Sequence, residues 1–290
     1  ADYAGRFLNE ARAVNTIRHP GLVEIFDFGQ LPDGTLYIIM EFLEGESLRA
    51  HERRNGPLAE AKAKALALQI AQALLAAHKN GIVHRDLKPE NVMLIVDPAG
   101  EGAERVKVLD FGIAKLLDQV RAPGQAAKQS VGLFGTPMFM APEAWEGAQA
   151  VDAAADIYSL GVILYQLIAG LPPFTGETVG ELIAMHIFSA PQPLSEQVQG
   201  LPPAISGLVM QMLAKEPTAR PTMAQVAAAL DPDLVGAGFA EHPPQRDLAH
   251  RQQVHEGAEQ VLAVARPVVA VGHAAPWDGL CERSARTECG

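Results

Sequence analysis

Within the stretch "GIVHRDLKPENVMLI", His84, Arg85, Asp86, Lys88 and Asn91 lie between two apolar runs, and Pro89 keeps the segment between them from being a regular helix. An acid, an ammonium and a carboxamide are therefore held in a loop with core on both sides, a setting suited to groups that move a proton or steady a charge. Each residue alone has a plainer account: Asp86 as a turn former, Lys88 as a solvated charge, His84 as a hydrogen-bonded core histidine. The octet "HRDLKPEN" as a unit does not, since eight specified positions coincide by chance on the order of once in 10^10 at uniform residue usage. A second acidic motif, Asp110-Phe111-Gly112, follows the strand-like "VKVL".

These residues need elements to hold them. Upstream, Leu66, Ile70, Leu74 and Ala77 recur at helical spacing, which predicts a helix from Leu58 to Asn80 with Gly81 as its natural stop. Earlier still, residues 2 to 18 carry helical periodicity that ends at His19-Pro20. "GLVEIFDFGQ" and "TLYIIMEFLE" then form two strands joined through Pro32-Asp33-Gly34, a turn cluster between β-branched and aromatic runs. Short apolar runs occupy 92 to 96 and 106 to 109, and a loop-rich stretch from Asp110 to Pro142 lacks any sustained period. Loops of that length in compact domains usually carry function. Helical segments follow near 153 to 169, 177 to 188, 204 to 214 and 222 to 230, separated by breaks such as "GLPPF". After about Leu230 four of the nine histidines appear among scattered Pro and Arg without a period, so 232–290 is expected to be a linker or disordered tail.

Bulk composition narrows the function classes. With 290 residues, 48% hydrophobic and 20% charged, the chain is of ordinary globular make-up. Its net charge of −11 argues against nucleic acid as a partner. Two cysteines, Cys281 and Cys289, can build neither a disulfide scaffold nor a four-ligand zinc site, which suits a reducing, cytoplasmic setting. The longest apolar run, 157 to 170, falls short of the roughly 20 residues of a membrane span and is expected to be a buried helix.

The octet is a protein-kinase catalytic-loop pattern, and residues 5 to 230 resemble a eukaryotic-like (bacterial-type) serine/threonine protein kinase domain. Further motifs come in the same order: "DFG" at Asp110, "GTPMFMAPE" closing the long loop, "DIYSLGVILYQLIAGLPPF", and "RPT" at Arg220. The resemblance implies an α+β bilobal fold with a mainly helical large lobe. By it, 1–44 is what is present of the small lobe (one helix plus a β-hairpin) and the hinge, and 45–231 is the large lobe.

It also implies roles. Phosphoryl transfer asks the protein to align a hydroxyl with the γ-phosphate and neutralise charge, with little covalent help. Asp86 would accept or orient the substrate proton, Lys88 would bring positive charge to the transferring phosphate, and Asn91 and Asp110 would offer Mg²⁺ its hard oxygen ligands. Lys88 and Thr136 of "GTP" match the serine/threonine branch, so protein serines and threonines are the expected acceptors. ATP would be held at its base by the backbone of Glu41 and Leu43, with Met40 limiting the pocket behind the adenine and Met93 as its floor. His84 and Phe111 belong to the framework. Asp156, an acid inside an apolar helix, would brace the backbone at His84 and Arg85, and Glu143 would pair with Arg220. Arg85 next to Asp86 suggests control by a phosphate on the long loop, with Ser130 as the candidate acceptor.

Glu10 occupies a helical apolar stripe with Phe7, Val14 and Ile17, and matches the family's helix glutamate that pairs with a nucleotide-binding lysine. No glycine-rich loop precedes it and the first lysine is Lys62, so the resemblance implies an N-terminally truncated small lobe and impaired ATP binding. Two other functions stay open. One is a catalytically inactive, pseudokinase-like binding module; the other is a small-molecule kinase of the aminoglycoside or choline type, against which Lys88 and "GTPMFMAPE" weigh.

Overall fold

The computed structural model describes residues 17–30, 36–96, 104–111, 137–145 and 151–231. The helix expected over residues 2 to 18 (save its last two residues), the turn at Pro32-Asp33-Gly34, most of the 110–142 loop and the 232–290 tail lie outside them.

The described residues open with three strands, then two helices and two further strands precede a mainly helical second half. β1 (Ile25–Gln30) and β2 (Leu36–Met40) pair antiparallel, with Ile25 opposite Met40 and Gln30 opposite Leu36. The first strand is shorter than "GLVEIFDFGQ" suggests, because the residues before it are used elsewhere. Leu22 bridges Val108 in parallel, the Val23 N–H donates to Val108 O, and the Val108 N–H donates to Gly21 O. A second sheet has the order β3-β4-β5, all antiparallel, from Gly45–Ser47, Val92–Val96 and Glu104–Val108.

Between β3 and β4 the chain makes two helices. α1 (Leu48–Asn55) is too polar and short to show periodicity, yet its ends are well specified. The Ser47 side chain accepts the Ala50 N–H, Arg53 and Arg54 complement the C-terminal dipole, and Gly56 takes φ 69°. α2 (Glu60–His78) buries Leu66, Ile70 and Leu74 together with a run of alanines, and the chain leaves it through Gly81 at φ 72°. The polar octet follows directly, and Pro89–Asn91 forms one 3₁₀ turn before β4.

α3 (Ala153–Ala169) is apolar all round and almost wholly buried, with Leu160, Ile163, Leu164 and Leu167 at its centre. Asp152 caps it by accepting the Ala154 N–H at 2.8 Å, and Gly170 closes it at φ 78°. α4 (Val179–Phe188), α5 (Leu194–Gln197), α6 (Pro203–Met212) and α7 (Met223–Leu230) complete the helical part, α7 with a Thr222/Gln225 capping box. No helix among the described residues is long and apolar enough to cross a membrane.

Packing around α3 leaves no slack at Gly161, where an added Cβ would sit 2.9 Å from Met212 Cβ on α6. Gly161→Ala gains helix propensity but forces the two helices apart, so it is expected to lower unfolding stability by about 1–3 kcal/mol in a urea titration. An equal or higher stability would show that α6 yields freely.

Polar groups also tie α1 to α3. Gln166 Nε2 donates to Glu52 Oε2 at 3.0 Å, and burial pushes the Glu52 carboxyl up to about 7, with Arg49 opposing and Glu90 reinforcing the rise. The fold thus favours the protonated carboxyl. Its contribution is fully present below the ordinary pKa of 4.5 and is lost as pH rises through about 7. Glu52→Gln should therefore raise stability at pH 8 by on the order of 1–3 kcal/mol and change it little at pH 4.5, read from urea midpoints at both pH values.

Candidate active site

The octet folds into a loop whose polar side chains face one another. Lys88 Nζ donates to Asp86 Oδ2 at 2.9 Å, each side chain about one-fifth exposed. Asn91 Nδ2 donates to Asp86 O at 2.9 Å and lies 3.4 Å from Asp86 Oδ2, which leaves the Asn91 Oδ1 face for another partner. His84 is fully buried. Its Nε2–H donates to Leu109 O at 2.8 Å, so its Nδ1 carries the lone pair that accepts the Asp86 N–H at 3.3 Å. Its ring lies 4.8 Å from that of Phe111, tilted by 48°.

Arg85, between them, sits at φ 65°, a conformation that costs an ordinary side chain about 1–2 kcal/mol. The compensation comes from α3. Asp156, 1% exposed, accepts the His84 N–H on Oδ2 at 2.8 Å and the Arg85 N–H on Oδ1 at 2.9 Å. His78 at the end of α2 completes the set, its Nε2 lying 2.7 Å from Asp156 Oδ2.

Asp110 also takes a left-handed backbone, φ 54°. Burial pushes its carboxyl up, and nearby Asp86 adds to the rise while Lys88 opposes it. The pair Asn91 and Asp110 thus presents an amide oxygen face and an under-compensated carboxylate. A divalent cation fits that donor set, since positive charge there would relieve the Asp110 penalty.

A recess lined by Asp86, Lys88, Leu87, Phe139, Met140 and Ala144 opens between the loop and the short turns at Pro137–Phe139 and Pro142–Trp145. Those turns are anchored from below. Ser159 Oγ donates to Phe139 O at 2.7 Å. Arg220 and Glu143 form a two-pronged ion pair at 2.6 and 2.8 Å, and the three remaining guanidinium N–H groups reach the carbonyls of Ala214, Ala154 and Lys215. Every donor of the buried arginine is therefore used, which such a pair requires. Beside it the Tyr158 hydroxyl and His186 Nδ1 share a hydrogen bond of 2.9 Å, and burial lowers the His186 ring to about 4, keeping it neutral.

The connector after β2 begins at Glu41, whose N–H donates to Glu24 O at 2.9 Å, and continues through exposed Phe42 and half-buried Leu43. Met40 is part-exposed at its start. Met93, on β4, has Ser47 and Lys107 as its cross-strand neighbours. Glu10, Ser130 and Thr136 lie outside the described residues. Two side chains that sequence reasoning passes over prove to be bonded here: His78 on Asp156, and Lys107 on Glu41 at 2.5 Å. His78 looks like the last polar residue of a helix and Lys107 like an exposed strand residue, so only tertiary pairing distinguishes them.

A family model described as a protein kinase domain matches residues 2–229. The serine/threonine-protein kinase pkn3 of Myxococcus xanthus is 39% identical over 222 residues, covering 76% of this chain and 40% of that protein. The serine/threonine-protein kinase PknB of Mycobacterium tuberculosis is 36% identical over 241 residues, covering 82% of this chain and 36% of that protein. The chain spans well under half the length of these relatives. Among solved structures, a double mutant of the Mycobacterium tuberculosis PknI kinase domain superposes with a TM-score of 0.59 at 26% identity, over 80% of this chain and 78% of that one.

The raised Asp110 carboxyl gives a test that needs no turnover. A group whose folded pKa is raised contributes stability below its ordinary value and loses it as pH rises, so Asp110 ionised at pH 8 strains the fold. Asp110→Asn keeps a side chain that tolerates the left-handed backbone and removes the charge. Its thermal midpoint at pH 8 should rise by about 2–4 °C for each ~1 kcal/mol relieved, while any stabilisation by added Mg²⁺ disappears. A lower midpoint would show that the carboxylate is instead well compensated.

Proposed function

The chain belongs to the protein kinase domain family, and from that premise we propose that it transfers the γ-phosphoryl group of ATP to serine and threonine hydroxyls of protein substrates. The observation that carries the proposal is the convergence of Asp86, Lys88 and Asn91 in one braced loop, with Asp110 close enough for Asp86 and Lys88 to bear on its ionisation.

Each group has a distinct part. Asp86 accepts the proton of the substrate hydroxyl as that oxygen bonds to phosphorus, and the bond from phosphorus to the bridging oxygen of ADP breaks. Lys88, held on Asp86 by its ion pair, places its ammonium beside the attacking oxygen and the phosphoryl group it meets. Asn91 Oδ1 and the Asp110 carboxylate would hold Mg²⁺, which when bound supplies charge neutralisation to the phosphates. The adenine edge falls to the backbone of Glu41 and Leu43, with Met40 behind it and Met93 beneath. The recess by Phe139 and Met140 adjoins Asp86 and Lys88, where the residues around the acceptor would lie. Arg85 is the natural partner for a phosphate on the long loop, which makes it the regulatory contact of the site.

Asp86→Ala tests the central role. Phosphate transfer from ATP to a serine- or threonine-containing protein should fall by about 10²–10⁴-fold while nucleotide affinity stays within about threefold. Undiminished turnover, or transfer to choline or an aminoglycoside in place of protein, would overturn the proposal.

A further inference from the structure

Lys107 lies on β5, three positions before Asp110, with its side chain only 11% exposed. Its ammonium donates to Glu41 Oε1 at 2.5 Å and to Leu22 O at 3.1 Å. The same Glu41 oxygen accepts the Glu24 N–H at 2.8 Å, and the Glu41 N–H donates to Glu24 O at 2.9 Å. Glu41 is thus clasped at its side chain and at its amide, and its own carbonyl is the backbone group that remains for the cleft.

An ion pair that merely closes a sheet needs no such placement. This one joins the first residue of the connector to the strand that runs on into Asp110, and it does so from a mostly buried position. Removing water from both charges makes the pair a weak source of net stability, so its main effect is to fix geometry. A hydrogen bond to a charged acceptor is also directional, which limits how far the connector backbone can rotate or slide.

We propose that Lys107 is a positioning residue for the purine: by clasping Glu41 it fixes the connector backbone at Glu41 and Leu43, where the adenine edge is read. The proposal rests on the kinase function given above. It assigns Lys107 to the base and leaves the phosphates to Asn91 and Asp110.

That division supplies the experiment. Binding of two probes, adenosine alone and magnesium tripolyphosphate alone, is measured by calorimetry on the full chain and on Lys107→Met and Lys107→Arg. Lys107→Met keeps the aliphatic stem and loses the clasp; it should weaken adenosine about tenfold and leave tripolyphosphate within about twofold, whereas Lys107→Arg should recover most of the adenosine affinity. Adenosine binding unchanged in Lys107→Met overturns the assignment. So does equal weakening of both probes, which would mean that the pair supports only the general fold. If the unsubstituted chain binds neither probe, the reading of this chain as nucleotide-binding fails and this assignment falls with it.

Discussion

Two successive backbone amides, those of His84 and Arg85, end on the two oxygens of a single carboxylate, Asp156, inside the most buried helix of the molecule. A carboxylate so placed is costly unless every lone pair finds a donor, and here the His78 ring joins the two amides. The arrangement works in both directions. It satisfies an acid that the apolar helix could not otherwise hold, and it stabilises the left-handed turn at Arg85 by hydrogen bonds to a charge, worth about 1.5–3 kcal/mol each against a strain of about 1–2. The directions of Asp86, Lys88 and Asn91 follow from that turn. Loosening Asp156 would therefore disturb the whole loop before it disturbed the core.

A second buried charge obeys the same rule by another route. Arg220 has five donors and all five are matched, two by Glu143 and three by carbonyls at the ends of neighbouring segments. Replacing such a pair with apolar groups of equal volume can be neutral for stability, so its value lies in what it specifies. What it specifies here is the height of the 142–145 turn over α3, and through Ser159 and Phe139 the floor of the recess beside Asp86. The recess keeps its shape because both of its walls are pinned to α3, one at Asp156 and the other at Ser159.

Much of this is legible in the sequence where a single element carries the signal. The long apolar helices announce themselves by period, and the limits drawn for the second helical half fall within a few residues of the observed ones. Asp156 stands out because an acid has no business in an apolar run unless something donates to it. α1 escapes notice since "LRAHERRN" buries only Leu48 and His51, and eight residues of which six are polar give no period to detect. The start of β1 is misjudged for a different reason: Gly21 to Val23 have strand character, yet they spend it on β5 rather than on β2. Lys107 is invisible because its significance depends on which strand lies opposite, and register is a tertiary fact that no local pattern encodes.

β5 and the residue after it show how a short segment can organise a site without touching a substrate. Lys107 ties to the connector, Val108 to the backbone of Gly21 and Val23, and Leu109 to Asn91 O through its N–H and to the His84 ring through its carbonyl. Asp110 follows at once, in a left-handed backbone conformation that aspartate adopts more readily than most side chains. Three consecutive residues thus meet three different parts of the fold. Because a strand advances about 3.3 Å per residue and turns its side chains to alternate faces, these attachments fall at fixed intervals and cannot drift independently. The spacing between the connector at Glu41 and the Asp110 carboxylate is then a property of one strand, set by the pleat and held by the bonds at either end.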